Sequence, residues 1–252
     1  MKITFLGTGS SAGTPVMTCQ CRVCRSKDPR NQRLRASILV EEGDVRLLVD
    51  TGPDLRQQIL RAGVLNISAV LFTHFHADHI NGIDDLRAFN FAQKEIIPCF
   101  ADARTGQELV ERFRYCFLPP DAAWAKPSLS ITEISGGLGF GPVRVTPITL
   151  LHGNLPIFGY RFNNVAYLTD LKTIPAESLA LLRELDLLII DCLRYEEHPT
   201  HLNVEEALLW ARRIGARRTY LTHMTHDVDY AELAALLPPG VVPAHDGLVV
   251  SA

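Results

Sequence analysis

The sequence predicts a mixed α/β (α+β) domain in which two β-sheets are sandwiched between helices. Short runs of Val, Ile, Leu and aromatic residues, bounded by Gly, Asp, Asn or Pro, recur along the whole chain. The earliest of them follow one another like a meander, whereas the later ones alternate with helical stretches. Five of the runs end on an aspartate or histidine, as side chains gathered on one rim of a sheet would require.

In chain order, strands are expected over 3–6, 37–40, 46–49, 69–72, 143–148, 158–162, 165–168, 187–190 and 219–221. Helices are expected near 54–62, 84–93, 103–115, 176–184, 204–214 and 230–237. The strand-end polar residues are Asp50, His74, Asp170, Asp191 and His223. With 252 residues, 47% of them hydrophobic, the chain can fill one core without a disulfide or metal. No repeat, low-complexity tract or Gly/Ser linker divides it, so 1–252 reads as a single domain.

The formal net charge of -3 argues against a protein built to grip a nucleic-acid backbone. No secretory leader or uninterrupted apolar span is visible, and a cytoplasmic protein without a membrane partner is expected. Six cysteines in such a compartment point to metal binding or burial rather than disulfides. Cys99, Cys116 and Cys192 are scattered and read as small buried residues, whereas Cys19, Cys21 and Cys24 crowd together.

The strongest chemical signal is Thr73-His74-Phe75-His76-Ala77-Asp78-His79. In extended chain His74 and His76 point the same way, so both can bind one ion. A turn into helix would redirect Asp78 and His79 toward a second ion. Imidazole and carboxylate donors suit Zn²⁺, Mn²⁺ or Fe²⁺ without choosing among them. The bland alternative, a His-rich loop, is opposed by His152, Asp170 and His223 at other strand ends.

The series His74-x-His76-x-Asp78-His79, then His152, Asp170 and His223, resembles the ligand set of the metallo-β-lactamase superfamily across most of the chain. The resemblance implies an αββα four-layer sandwich. It implies a first metal on His74, His76, His152 and Asp170, and a second on Asp78, His79, His223 and the shared Asp170. Asp50 is similar to the superfamily's aspartate that orients a ligating loop, and could equally form a strand-end turn. Two such ions activate water at neutral pH and neutralise phosphoryl oxygens.

Cys19-x-Cys21-x-x-Cys24 offers three thiolates, one ligand short of a structural zinc site, and His226 is the candidate fourth. A redox role is the alternative. Cysteine loop, His226 and dimetal motif together resemble the phosphoribosyl 1,2-cyclic phosphate phosphodiesterases of the carbon–phosphorus lyase pathway. That resemblance implies hydrolysis of 5-phosphoribosyl 1,2-cyclic phosphate to ribose 1,5-bisphosphate during phosphonate catabolism, by metal-activated hydroxide. It implies two catalytic metals, manganese favoured and zinc allowed, and one structural zinc. It also assigns proton donation to a histidine matched by His201, with His198 nearby and a surface helix-start histidine as the plain alternative. Asp78 counts with His201 as catalytic.

Two weaker features accompany these. The Gly7-Thr8-Gly9-Ser10 turn lacks the lysine of a phosphate-binding loop and reads as a tight turn. Arg22, Arg25, Lys27, Arg30, Arg33 and Arg35 form a run that could steer a sugar phosphate. The expected partner is a small anionic sugar cyclic phosphate; nucleic acid is disfavoured, and a homodimer is left open. Other readings are a transfer-RNA 3′-endonuclease, which would need a substrate-gripping arm or a broad basic surface, and a non-catalytic cofactor-biosynthesis protein of the same fold.

Overall fold

The computed structural model describes residues 1–119 and 125–252. The first sheet contains β1 (Lys2–Gly7), β2 (Ser37–Glu42), β3 (Val45–Val49), β4 (Ala69–Leu71), β5 (Ile97–Ala101) and β6 (Leu129–Glu133). The second contains β7 (Leu138–Phe140), β8 (Val143–His152), β9 (Leu155–Phe162), β10 (Val165–Leu168), β11 (Leu187–Asp191), β12 (Arg218–Thr222) and β13 (Val241–Pro243). The last strand, β14 (Val249–Ser251), returns to the first sheet and pairs with β1. The helices are α1 (Leu55–Ala62), α2 (Ala77–Ile80), α3 (Arg87–Gln93), α4 (Ala103–Arg112), α5 (Ala176–Ala180), α6 (Val204–Ile214) and α7 (Tyr230–Leu236). None among the described residues is long and apolar enough to cross a membrane.

The predicted meander is the antiparallel β1–β2–β3 unit, after which β3, β4, β5 and β6 pair in parallel. In the second sheet β8, β9 and β10 are antiparallel, and β10 to β13 are parallel.

Strand periodicity explains the layers. Ile3, Phe5, Ile38, Val40, Leu47, Val49 and Leu71 face Val145, Tyr160, Phe162, Tyr167 and Ile189 across the gap between the sheets. The alternate residues Leu39, Leu48 and Val70 turn outward to α1, α3 and α4. On the other side, Leu150, Leu168, Leu188 and Ile190 turn outward to α6 and α7. Strands covered on both faces read as continuous apolar runs, which is why they were legible without polar alternation. The result is the expected αββα sandwich.

Five strands were not anticipated: β5, β6, β7, β13 and β14. Pro98 inside β5 argues against a strand, and β7, β13 and β14 have three residues each. The helix expected over 176–184 stops at Ala180. Arg161 captures the carbonyls of Leu181 and Arg183, and Glu184 takes a left-handed φ of 57°, which ends any helix there.

Candidate metal centre

The site lies where strand ends of both sheets meet. From the first sheet, β4 leads into the segment from Thr73 to α2, so that His74 and His76 are extended while Asp78 and His79 ride on a helical turn. A clasp holds that turn: Thr51 N–H donates to the His79 carbonyl at 2.7 Å, and Gly82 N–H donates to the Thr51 carbonyl at 2.7 Å. A Cβ on Gly82 would stand 2.0 Å from the Gly52 carbonyl oxygen, so no larger residue fits. From the second sheet come His152 at the end of β8, Asp170 after β10, Asp191 ending β11 and His223 after β12.

Asp50, Asp170 and His223 have left-handed φ values of 65°, 56° and 63°. Such a conformation costs non-glycine residues on the order of 1–3 kcal/mol each and persists only where its surroundings enforce it. Three of the non-glycine residues with such a φ stand at strand ends around this one cage.

Donor atoms of Asp78, His79, Asp170 and His223 all lie within 4.8 Å of one another. His79 Nε2 is 3.2 Å from Asp78 Oδ2 and 3.2 Å from Asp170 Oδ2, and His223 Nε2 is 3.1 Å from Asp170 Oδ1. Donors about 2.0–2.2 Å from one ion stand roughly 3–3.5 Å from each other, which matches. The buried Nε2 atoms of His74, His79 and His223 have no hydrogen-bond partner among the described residues. Orphaned buried nitrogens are costly unless an ion completes them, so the residues fit a metal. His74, His76 and His152 gather beside this group, with ring centroids 4.5 Å (His74–His76), 5.8 Å (His74–His152) and 5.2 Å (His76–His152) apart. On that side the donor atoms that converge within 4.8 Å are those of His152, Asp170 and His201.

Electrostatics agree with a site awaiting positive charge. Burial opposes the charge on Asp78 and Asp170, yet the imidazoles of His79 and His223 hold both carboxyls below the usual range. Burial likewise opposes charge on His79, but Asp170, Asp78 and Asp50 raise its pKa well above the ordinary value. Burial lowers His74, His76 and His152, keeping them as neutral bases.

The groups that orient the cage are now visible. Asp50 is fully buried, accepts Thr73 N–H and Oγ1–H at 2.8 Å each, and lies 2.7 Å from His79 Nδ1. His152 Nδ1 is 3.0 Å from the Thr200 carbonyl. Asp191 Oδ1 lies 3.4 Å from Nδ1 of both His201 and His223, whose rings stack 4.9 Å apart. His201 is only 9% exposed, which excludes the surface helix-start reading. Sequence reasoning placed Asp191 on the rim without a partner and missed Thr73 and Thr200; a backbone carbonyl leaves no trace in sequence.

Beside the cage, His226 Nδ1 is 3.3 Å from Cys19 Sγ and 3.4 Å from both Cys21 Sγ and Cys24 Sγ. One ring N–H cannot serve three sulfurs, whereas nitrogen and sulfur on tetrahedral zinc stand roughly 3.5 Å apart. The Cys24 amide, with His226 and Cys19, draws the Cys21 thiol down to about 6, while burial pushes Cys24 up to about 11.

Two surface readings resolve as well. Thr8 N–H and Oγ1–H both donate to Asp246 at 2.9 and 2.8 Å, so the Gly-rich turn is closed by a carboxylate. Much of the basic run is committed: Arg22 to Glu232, Arg30 to Asp28, Arg35 to Asp54, and buried Arg33 to the Thr225 and Val228 carbonyls.

Residues 45–224 match a family model described as a beta-lactamase superfamily domain. A solved structure described as a new diphosphatase from the PhnP family superposes with TM-score 0.93 and 38% identity, covering 99% of this chain and 96% of that one. The chain belongs to the PhnP family of the metallo-β-lactamase superfamily. That membership implies divalent ions in the histidine–aspartate cage. Other relatives carry different names. An octanoyltransferase of Porphyromonas gingivalis is 37% identical over 98% of this chain but only 51% of its own length. A ribonuclease Z of Methanosarcina acetivorans is 33% identical over 45% of this chain and 33% of its own. This chain thus spans about half the length of the first and a third of the second.

Proposed function

We propose that the chain is a dimetal phosphodiesterase that hydrolyses 5-phosphoribosyl 1,2-cyclic phosphate to ribose 1,5-bisphosphate. The observation that carries this reading is the convergence of four donor groups from two sheets, with buried unpartnered Nε2 atoms, beside a three-cysteine, one-histidine cluster. In it, His74, His76, His152 and Asp170 would hold one ion, while Asp78, His79, His223 and the shared Asp170 would hold the second. Manganese is favoured and zinc allowed in this pair, with zinc on Cys19, Cys21, Cys24 and His226.

Bound ions supply hydroxide at neutral pH and offset charge on phosphoryl oxygens. The chain's own residues do the rest. Asp50 fixes the His79 ring through Nδ1, and the Thr200 carbonyl fixes His152 in the same way. Conversion to the 1-phosphate requires that water oxygen bond to phosphorus and that the bond between phosphorus and the 2-oxygen break. The departing 2-oxygen needs a proton, and His201, held by Asp191 and close to Asp170 and His152, is placed to give it. A low-molecular-weight diester is favoured over a transfer RNA because most of the basic run that would grip one is paired.

A second reading, cleavage of a diphosphate bridge, is favoured by the description of the 38%-identical neighbour. The deciding experiment strips the protein of metal, reloads it with manganese or zinc, and offers the cyclic sugar phosphate, a diphosphate ester and a precursor transfer RNA in parallel. Metal-dependent opening of the cyclic ester, with the others untouched, supports the proposal. Faster cleavage of the diphosphate ester moves the assignment to the second reading.

A further inference from the structure

The loop between Asp191 and α6 carries a second imidazole that the reaction above does not use. His198 lies with its ring 5.1 Å from that of His201, inclined by 51°. Its Nδ1 receives the Thr200 backbone N–H at 3.3 Å and stands 3.2 Å from Thr200 Oγ1. A backbone N–H only donates, so Nδ1 is the acceptor and the neutral ring carries its proton on Nε2. Thr200 also presents its carbonyl to His152 Nδ1, leaving His152 Nε2 bare. One residue thus sets opposite tautomers on two rings, making His152 a metal-type base and His198 a hydrogen-bond donor through Nε2. Gly153, at φ +60°, packs against Thr200, which holds the loop to the cage.

What surrounds His198 selects the kind of oxygen it would hold. The charged and titratable groups felt by the ring are His201, Arg194, Asp191 and Lys172. Asp191 faces His201 and His223, and its second oxygen takes Leu202 N–H. Lys172 is paired with Glu206 at 2.6 Å. Arg194 donates to the Glu197 carbonyl, keeps a buried Nε without a partner, and has no carboxylate in ion-pair range among the described residues. His198 itself has no carboxylate partner and no acceptor for Nε2 among the described residues. Glu196 and Glu197 precede His198 on the same loop, so what this side of the rim offers an incoming oxygen is the free Nε2–H of His198 and the guanidinium of Arg194, which has no carboxylate partner among the described residues.

We propose that His198 is a substrate-binding residue whose Nε2–H, with Arg194 four residues earlier on the same loop, holds a phosphate monoester dianion distant from the bond that is cut. The proposal rests on the phosphodiesterase reading and names the feature that separates the sugar phosphate from a plain diester. Its test is the kinetics of metal-loaded His198→Ala and His198→Gln on two substrates. One is 5-phosphoribosyl 1,2-cyclic phosphate; the other is bis(4-nitrophenyl) phosphate, which has no second anion.

For His198→Ala the expected result is a rise in KM for the sugar phosphate of about ten- to hundredfold, the range of one hydrogen bond to a charged group. The kcat and the metal content stay within about twofold, and KM for the nitrophenyl diester does not move. Gln, which places an amide N–H at similar reach, recovers most of the loss. An unchanged KM for the sugar phosphate, or an equal rise for both diesters, overturns the proposal. Calorimetric binding of ribose 5-phosphate to metal-loaded wild type and His198→Ala reads the same contact without turnover. Affinity about tenfold weaker in the variant is expected, and equal affinity overturns the assignment. Should wild type cleave neither diester, the phosphodiesterase reading fails while the calorimetry still judges His198.

Discussion

At the scale of single residues, the cage depends on a few buried polar atoms whose partners are fixed by the fold. Asp50 is the clearest: a fully buried carboxylate whose hydrogen bonds all serve the His74–His79 segment. Replacing it with Ala leaves Thr73 N–H and His79 Nδ1 unpaired, so His79 loses its set orientation. The expected outcome is metal affinity weaker by about 10–100-fold at the His79 position, read by calorimetry with the folded variant. Wild-type affinity would reduce Asp50 to a turn former. His201→Ala is expected to behave differently, keeping both ions while turnover falls by about 10²–10⁴-fold, the usual contribution of a proton donor. Metal analysis alongside kcat separates the two effects, and an active, metal-replete variant would remove His201 from the mechanism.

At the scale of elements, α6 shows how local sequence serves the site. Asn203 Oδ1 accepts Glu206 N–H at 2.8 Å, and Glu206 Oε2 accepts Asn203 N–H at 3.0 Å, a closed capping box. It lies two residues after His201, so the cap also fixes where the loop bearing His201 ends. Asn203→Ala is expected to destabilise by about 1 kcal/mol, a fall in melting temperature of roughly 2–4 °C for a chain of this size. A thermal melt that does not shift would show that the loop, rather than the cap, starts the helix. This element was readable in advance because cap, apolar stripe and terminal Gly215 are all local. The strand β5 was not, since Pro98 speaks against it locally and only its parallel neighbours β4 and β6 make it a strand. The same division runs through the site. Spacing alone singled out His74, His76, Asp78 and His79, whereas Asp191 reaches His201 and His223 only through the parallel β11–β12 pairing and the return of the loop before α6.

At the scale of the whole molecule, the cage and the thiol cluster are joined by one short segment. His223 and His226 stand three residues apart, and Met224 between them is pinned from both sides: its N–H donates to the Thr8 carbonyl and its carbonyl accepts Ser10 N–H. Arg33, buried at 1% exposure, holds the Thr225 carbonyl at 3.1 Å. The loop bearing Cys19, Cys21 and Cys24 is otherwise tied to this segment chiefly through His226. An ion there therefore closes a long chain loop and braces the segment that carries a cage residue. Zinc held at 1,000 times its dissociation constant contributes about 4 kcal/mol to the folded state. Its removal by chelator, or the change Cys21→Ser, is then expected to lower the melting temperature by on the order of 10 °C. Because the backbone hydrogen bonds on Met224 remain, His223 should keep its place, and Cys21→Ser should still bind two catalytic ions at low temperature. Elemental analysis of that variant decides between a brace and a shared foundation: two ions per chain with a lowered melt supports the brace, and loss of the cage ions along with the zinc would mean that the thiol cluster builds the cage itself.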